Sequence, residues 1–425
     1  MAEVVPLRGL LYDSARAGPL DALIAPPYDV VSPSERAALA AKSPWNIVRL
    51  DLPEGDGDRK YAKAARELRS WIGQGILRRD MAPALYRYHQ TFSVEEREHT
   101  RKGFICRIRL RRFDEGVVLP HERTLSGPRQ DRLALARATR TNLSQVMGLY
   151  SDPSGAVDAE FAAVESRAPA FEASLDKVVH RLWRLTDRAA HARVAAALSD
   201  KKVYIADGHH RYETMIALRD ELRSQARSPR SSIEYGSMFL TSMDDPGLVI
   251  LATHRVVHGL QGFELPAFLE RLRARFDVRE LDPAAAEKLR APPEEGEGRF
   301  LLASQGRFFA LALRPGQSAS VSAPEPLRHL DVPILHALIL EEVLGIDRSA
   351  QERQTNLRYV KDFRAAIDES RRPGVQAVFQ LNPTRIEQLR AVADAGEVMP
   401  QKSTFFFPKL ASGLVLDPLD PLEEA

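Results

Sequence analysis

The chain has one cysteine, an almost balanced charge and no long hydrophobic run. Its single cysteine, Cys106, excludes an internal disulfide framework and any zinc site built from several cysteines. The net charge of +2 does not favour a nucleic-acid-binding protein. No apolar run approaches the length that spans a bilayer, and no signal peptide opens the sequence. We therefore expect a cytoplasmic protein with no nucleic-acid partner and no membrane partner.

The length of 425 residues exceeds what one hydrophobic core usually supports, so we expect more than one structural unit. Short β-branched and aromatic segments alternate with helical segments, which is typical of an α/β or mixed α+β fold. The expected parts are a catalytic core at 1–259, a second α+β unit at 260–395, and a C-terminal segment at 396–425 that docks back toward the site. An oligomer is compatible with this sequence.

Two predictions concern segments that lack an obvious chemical role. Residues 46–50 (NIVRL) are predicted to form a strand, because apolar and β-branched side chains dominate them. Arg107, Arg109 and Arg111, followed by Arg112, recur with a period of two at the end of a predicted strand. This period predicts that the arginines form a solvated strand face.

The segment 203–218 carries the densest chemistry: an apolar strand, a polar turn and a helix. The turn holds Asp207, Gly208, His209, His210 and Arg211. The beginning of a helix favours bound anions, and a glycine there lets the backbone approach a ligand. We expect the histidines and the arginine to hold phosphate, and Asp207 to hold Mg²⁺ or to orient a hydroxyl. Two alternatives remain: a polar turn capped by Asp207, or a metal held by the histidines.

A second polar cluster follows a proline and holds His121, Glu122, Arg123 and Thr124. This density of polar residues without alternation predicts an active-site loop, with Glu122 as general base and the arginine and threonine on phosphate. A solvated loop is the alternative.

A third cluster, near the end of the chain, holds Lys402, Ser403 and Thr404. Its side chains are those of a phosphate-binding trio, but the glycine-rich loop of the P-loop proteins is missing. A structural tail is the alternative. The remaining candidates lie at three other places. Tyr28 and Asp29 follow a rigid Pro-Pro turn, and Arg132 and Asn142 flank a predicted helix. His254 and Arg255 lie at the end of a predicted strand.

The segment 206–214 (ADGHHRYET) closely resembles the signature of a bacterial and archaeal family, domain of unknown function 1015. Further blocks match along most of 4–415, among them Pro-His-Glu at 120–122, Asp-Arg-Leu at 131–133 and Met-Pro-x-Lys-Ser-Thr-x-Phe-x-Pro-Lys at 399–409. The Asp-Gly-His-His-Arg core is also similar to the nucleotide-site motif of ParB/sulfiredoxin-like proteins, including the free-serine kinases. This second resemblance covers a handful of residues.

The resemblances imply a ParB/sulfiredoxin-like nucleotide-site core and a nucleotide-dependent phosphotransferase. ATP or ADP with Mg²⁺ would be the cofactor, and a small hydroxylated metabolite, first of all free L-serine, the acceptor. The catalytic residues would be Glu122, Asp207, His209 and His210. The nucleotide would contact Gly208, Arg211, His121, Arg123, Thr124, Arg132, Lys402, Ser403 and Thr404, and the substrate would contact Tyr28, Asp29, Asn142, His254 and Arg255. A nucleotide-binding regulatory or interaction protein without turnover, and a metal-dependent hydrolase, remain alternatives.

Overall fold

The computed structural model describes residues 1–122, 126–289, 291–293 and 296–425. The chain divides into two compact units. Unit 1 comprises Met1–Pro120, Thr124–Val249 and Pro408–Ala425, and unit 2 comprises His121–Arg123 and Ile250–Phe407. The end of the chain thus belongs to the same unit as its beginning. The limits expected from the sequence, 1–259, 260–395 and 396–425, stay predictions.

The described residues form strands and helices in irregular alternation. The strands are β1 Val4–Val5, β2 Leu10–Tyr12, β3 Leu77–Arg79, β4 Leu85–Val94, β5 Arg97–Arg109, β6 Val118–Leu119, β7 Thr141–Asn142, β8 Val146–Tyr150, β9 Phe171–Leu175, β10 Val178–Leu185, β11 Val203–Asp207, β12 Tyr235–Ser242, β13 Val249–Leu251, β14 His254–His258, β15 Phe276–Leu281, β16 Arg299–Ser304, β17 Arg307–Leu313, β18 Leu357–Val360, β19 Val375–Gln380, β20 Phe405–Phe407 and β21 Asp417–Pro418. The helices are α1 Ser14–Ala17, α2 Pro33–Lys42, α3 Val48–Asp51, α4 Arg59–Gly73, α5 Ser126–Thr139, α6 Ala156–Ala159, α7 Ala162–Glu165, α8 Arg188–Leu198, α9 His209–Leu222, α10 Leu265–Leu272, α11 Pro283–Ala286, α12 Glu325–Arg328, α13 Asp331–Ile334, α14 Arg348–Arg353, α15 Phe363–Glu369 and α16 Ile386–Asp394. This mixture confirms the prediction of a mixed α/β fold.

Unit 1 is built on a nine-stranded mixed sheet in the order β6-β11-β8-β12-β5-β4-β10-β9, with β1 paired to β5. The pairs β6–β11 and β8–β12 are parallel, and the other pairs on this path are antiparallel. Apolar side chains of the sheet, such as Phe104, Val203, Ile205 and Leu240, are fully buried in one core with Tyr212 of α9. Strand β11 therefore lies inside the sheet and is anchored on both sides.

Local sequence signals explain several of these elements. Helix α2 begins after Ser32, which accepts a hydrogen bond from the Glu35 amide, while the Glu35 carboxylate accepts one from the Ser32 amide. The strand predicted at 46–50 is wrong, because Val48–Asp51 forms a helical turn. The Asn46 side chain accepts from the Val48 amide at 3.0 Å, and this bond starts the turn.

The solvated arginine face predicted at the end of β5 is also wrong at Arg107. This side chain is 1% exposed. Its Nε donates to Oδ1 of Asp417 at 2.9 Å, and its Nη2 donates to the Pro418 carbonyl at 2.9 Å. The C-terminal strand β21 covers the position, so the alternation along β5 does not separate a solvated face from a buried one.

Unit 2 contains a six-stranded antiparallel sheet in the order β15-β17-β16-β19-β14-β18. Two apolar clusters form the core of this unit. One contains Phe276, Phe300 and Leu335, and the other contains Phe308 and Phe363. No helix of the described residues is long and apolar enough to cross a bilayer.

Candidate functional site

The strand β11, the turn after it and helix α9 form the centre of the candidate site in unit 1. Val203–Asp207 pairs with β6 and β8, and helix α9 begins at His209. Gly208 lies between them with φ +91, in the left-handed region that favours glycine. A Cβ atom at this position would lie 2.9 Å from Nε of Arg211. The turn therefore requires glycine both for its backbone conformation and for the packing of Arg211.

The Asp207 carboxylate is held between two cations. Lys409 Nζ donates to Oδ1, and Arg211 Nη2 donates to Oδ2 at 2.6 Å. The side chain is 12% exposed. Burial alone would raise the pKa of Asp207, but the charges of Lys409 and Arg211 outweigh it and hold that pKa well below its ordinary value. Asp207 is therefore ionised and fixes the positions of both cations.

Lys409 reaches Asp207 because the main sheet holds the backbone of the C-terminal segment. Gln90 on β4 and Arg101 on β5 face each other across the two strands. Gln90 Nε2 donates to the Lys409 carbonyl at 3.0 Å, and Arg101 Nη2 donates to the Pro408 carbonyl at 2.5 Å. Both side chains are fully buried. Lys409 is not among the site residues predicted from the sequence, although the block at 399–409 ends on it.

Arg211 also bonds the segment that precedes β8. Its Nη1 donates to the Gln145 carbonyl. The Gln145 side chain in turn donates to the Val415 carbonyl at 2.5 Å. Asn142, in the same segment, donates from Nδ2 to Oδ2 of the buried Asp417 at 3.0 Å. The predicted substrate residue Asn142 therefore lies in this part of unit 1, engaged with the C-terminal strand.

A second cluster of charged and aromatic residues surrounds Arg132 on α5. Its Nη1 donates to Oδ1 of Asp51 at 3.0 Å, and its Nη2 donates to Oδ2 of Asp131 at 2.7 Å. The ring of Tyr28 lies over the guanidinium, 4.3 Å from its central carbon. Burial raises the pKa of Tyr28 to about 12, against the nearby charges of Arg211 and Arg132. The structure thus brings Tyr28, Arg132 and Arg211 together, as three of the sequence candidates.

Both histidines of the motif lie at the beginning of α9. His209 is buried and His210 is half-buried. Burial lowers the pKa of His210, with Arg211 and Arg129 acting in the same direction and the charges of Glu213 and Asp29 opposing it. His210 is therefore neutral at pH 7. The influence of Asp29 places another sequence candidate in the same surroundings.

Most of the other predicted site residues belong to unit 2. His121 Nε2 and Thr404 Oγ1 are 2.8 Å apart and share a hydrogen bond. Glu122 pairs with Met399 in a parallel bridge. Ser403 Oγ donates to the Pro400 carbonyl at 2.6 Å, and Lys402 is exposed with φ +60. The second and third polar clusters of the sequence therefore meet in unit 2. Arg123 and Thr124 lie outside the described residues.

His254 and Arg255 lie at the beginning of β14 and are almost completely buried. His254 Nδ1 accepts from the Leu381 amide at 3.2 Å, and burial lowers the pKa of this histidine to about 4. Arg255 Nη2 donates to the Lys402 carbonyl at 3.0 Å. These bonds give both residues a structural role in unit 2, and their contact with substrate stays a prediction.

The residues around Asp207 do not fit a metal ligand set. Each of its carboxylate oxygens already accepts a hydrogen bond from a cation. Within the described residues, no three His, Cys, Asp or Glu side chains come together as ligands for a metal ion. Mg²⁺ at Asp207 stays a prediction.

The sequence profile of the family "protein of unknown function (DUF1015)" matches residues 4–333. The chain belongs to this family. The matched range includes the candidate site from Tyr28 to Arg211 and leaves out Lys409. The chain has no match among curated proteins.

Several solved structures are similar to the chain at low identity. A conserved hypothetical protein from Pyrococcus furiosus is 16% identical, covers 69% of this chain and 89% of its own, and gives a TM-score of 0.34. A free serine kinase in complex with AMP is 15% identical, with 72% and 89% covered and a TM-score of 0.36. SbnI from Staphylococcus aureus, with a C-terminal truncation, is 8% identical, with 73% and 86% covered and a TM-score of 0.35.

Proposed function

We propose that the chain is a nucleotide-dependent phosphotransferase that acts on a small hydroxylated metabolite. The observation that carries the proposal is the turn at Gly208, where a buried strand ends and a 14-residue helix begins beside three cations. Arg211 and Lys409 are fixed there by Asp207, and Arg132 lies near Arg211 and Tyr28. Phosphoryl transfer needs positively charged and N–H donors that are held in place before the reaction begins.

The charges of this part of unit 1 suit a phosphate chain. The dipole of α9 adds partial positive charge at its first turn, where His209 and His210 lie. The ionised Asp207 orients Lys409 and Arg211 without neutralising both of them. His210, neutral at pH 7, offers either an N–H donor or a proton acceptor to a ligand. These groups would bind and orient the phosphates and stabilise the charge that develops during transfer.

The identity of the acceptor is a separate and more specific proposal. The likeness of the Asp-Gly-His-His-Arg motif to that of the free-serine kinases makes L-serine the first acceptor to test. Glu122 as general base, and Lys402, Ser403 and Thr404 as further nucleotide contacts, stay predictions. Each is to be tested by its own substitution.

The experiment is nucleotide binding followed by turnover. Thermal shift with ATP, ADP, CTP and GTP in the presence of Mg²⁺ would identify the nucleotide, and phosphorus NMR with L-serine would detect a new phosphomonoester. His210→Gln should lower kcat roughly 10²-fold with little change in melting temperature, because a preorganised polar contact to the phosphates is lost. His99→Gln, on the β4–β5 hairpin of the same unit, is the matched control and should keep wild-type turnover.

Each outcome has a distinct meaning. A nucleotide-dependent shift with a new phosphomonoester supports the proposal. A shift without product for any hydroxylated acceptor contradicts the transferase and supports the regulatory alternative. If no nucleotide shifts the melt, both are contradicted. Metal analysis of the purified protein would then test the hydrolase alternative.

A further inference from the structure

A small cavity lies in unit 1 between helices α5 and α9. Its volume is about 50 Å³, and the segment 141–144 closes one side. The polar residues of its wall include Arg132, Arg211, Asn142, Ser144 and Thr214. A cavity needs roughly 10–15 Å³ to hold one water molecule, so this one has room for a compact group of a few atoms.

The cavity wall carries excess positive charge. Arg132 and Arg211 contribute two guanidinium groups, and Asp51 contributes a carboxylate. Both Asp51 oxygens are engaged, since Oδ1 accepts from Arg132 at 3.0 Å and Oδ2 accepts from Ser412 at 3.1 Å. Asp131, which is bonded to Arg132, and Asp207, which is bonded to Arg211, do not line the cavity. Among the described residues of the wall, Asp51 is therefore the carboxylate that a bound anion would meet.

Two residues of the wall leave hydrogen-bonding capacity unused. Within the described residues, Nε of Arg211 and Oγ1 of Thr214 are buried and have no hydrogen-bond partner. These side chains are 7% and 5% exposed. A buried polar atom without a partner costs about 1–3 kcal/mol, so such atoms are rare unless a ligand or water satisfies them.

We propose that this cavity binds a compact oxyanion of the substrate, a carboxylate or a single phosphate group. Arg132 and Arg211 would neutralise its charge, and the hydroxyl of Thr214 would donate to one of its oxygens. The inference rests on the proposed function. It adds the place at which an anionic group of the substrate would bind. It assigns to Thr214 a binding role in addition to its place in α9.

The test compares two threonines in the full chain, with sodium phosphate, sodium acetate and sodium chloride at equal ionic strength. Thr214→Val removes the unpartnered hydroxyl. Thr241→Val is the matched control, because its hydroxyl is buried in the same unit, donates to the Lys102 carbonyl at 2.6 Å and lies outside the cavity. Thermal denaturation without an added oxyanion measures stability, and its shift with oxyanion concentration measures affinity.

We expect phosphate or acetate to raise the melting temperature of the wild type above its value in chloride. Thr214→Val should bind that oxyanion roughly tenfold more weakly, since a hydrogen bond to a charged group is lost. Its melting temperature without oxyanion should equal or exceed that of the wild type. Thr241→Val should be less stable without oxyanion and should keep the full oxyanion response.

The oxyanion that stabilises the wild type tells the two sources apart: acetate indicates a carboxylate of the substrate, and phosphate indicates a phosphate group. The inference is overturned if neither oxyanion stabilises the wild type. It is also overturned if Thr214→Val keeps the full response, because the oxyanion then binds elsewhere, for example at the turn of Gly208. Neither result depends on nucleotide turnover, so failure of the proposed function would be recognised separately.

Discussion

Replacing Lys409 by methionine removes the cation that holds one oxygen of the Asp207 carboxylate. The pair is largely buried, with the two side chains 16% and 12% exposed. Removing one partner of a buried ion pair typically costs about 3–5 kcal/mol, because the other charge is left without compensation. Arg211 remains 2.6 Å from the other oxygen. We therefore expect a loss at or just below the lower limit of this range, about 2–3 kcal/mol in the free energy of unfolding.

The assay is urea denaturation of the wild type, Lys409→Met, Asp207→Asn and the double variant at pH 7.5. The double-mutant cycle isolates the interaction between the two side chains, and we expect a coupling of at least about 1.5 kcal/mol. The control is Lys201→Met. It breaks a more exposed pair, with Lys201 Nζ 3.6 Å from Asp200 Oδ1, and should change stability by less than about 1 kcal/mol.

The same substitution should change the dependence of stability on pH. The lowered pKa of Asp207 stabilises the fold at every pH above the ordinary range of an aspartate, and this stabilisation is lost as pH falls through the folded-state pKa. Without Lys409 the folded-state pKa rises toward the unfolded one, so the acid-induced loss due to Asp207 should be smaller and should be complete at a higher pH. A coupling below about 0.5 kcal/mol, together with an unchanged dependence of stability on acidic pH, would show that Lys409 and Asp207 do not stabilise the fold as a pair.

Two further predictions concern backbone strain and a buried histidine. Gly208→Ala should lower the free energy of unfolding by at least about 1 kcal/mol, because Gly208 has φ +91 and an added Cβ would approach Arg211. The control, Gly73→Ala at the open end of α4, should be neutral or stabilising. Equal effects of the two substitutions in denaturation would contradict this prediction. Burial, aided by the charge of Arg101, lowers the pKa of His180 to about 4. As pH falls, the histidine therefore takes up a proton in the unfolded chain before it does so in the folded one. The free energy of unfolding should decrease by about 3 kcal/mol between pH values of about 6.5 and about 4. His180→Gln should remove this part of the pH slope, and an unchanged slope would show that other groups cause it.

The parts of the fold set by neighbouring residues could be predicted from the sequence. The capping box at Ser32 and Glu35 fixes the start of α2 within four residues. The strand, glycine turn and helix around Asp207 follow from apolar periodicity and from the need for a left-handed residue at Gly208. These signals come from residues that are neighbours in the sequence, so they do not depend on tertiary contacts.

The parts set by distant segments could not be predicted. Lys409 meets Asp207 across 202 positions of sequence, and no periodicity carries that pairing. Arg107 alternates as a surface residue would, yet the C-terminal strand brings Asp417 over it. The 46–50 segment has β-branched composition, but the Asn46 side chain competes for the backbone and favours a helical turn. In each case a tertiary or side-chain contact overrides the local pattern.

We propose that the turn at Gly208 and its three cations bind the phosphates of a nucleotide. Isothermal titration with ATP and with ADP, using the wild type and Lys409→Met, measures this binding. We expect binding to the wild type and at least roughly tenfold weaker binding to the variant, since a charge-assisted contact is lost. Equal affinity of the two proteins, with the variant still folded, would show that the phosphates do not bind at this turn.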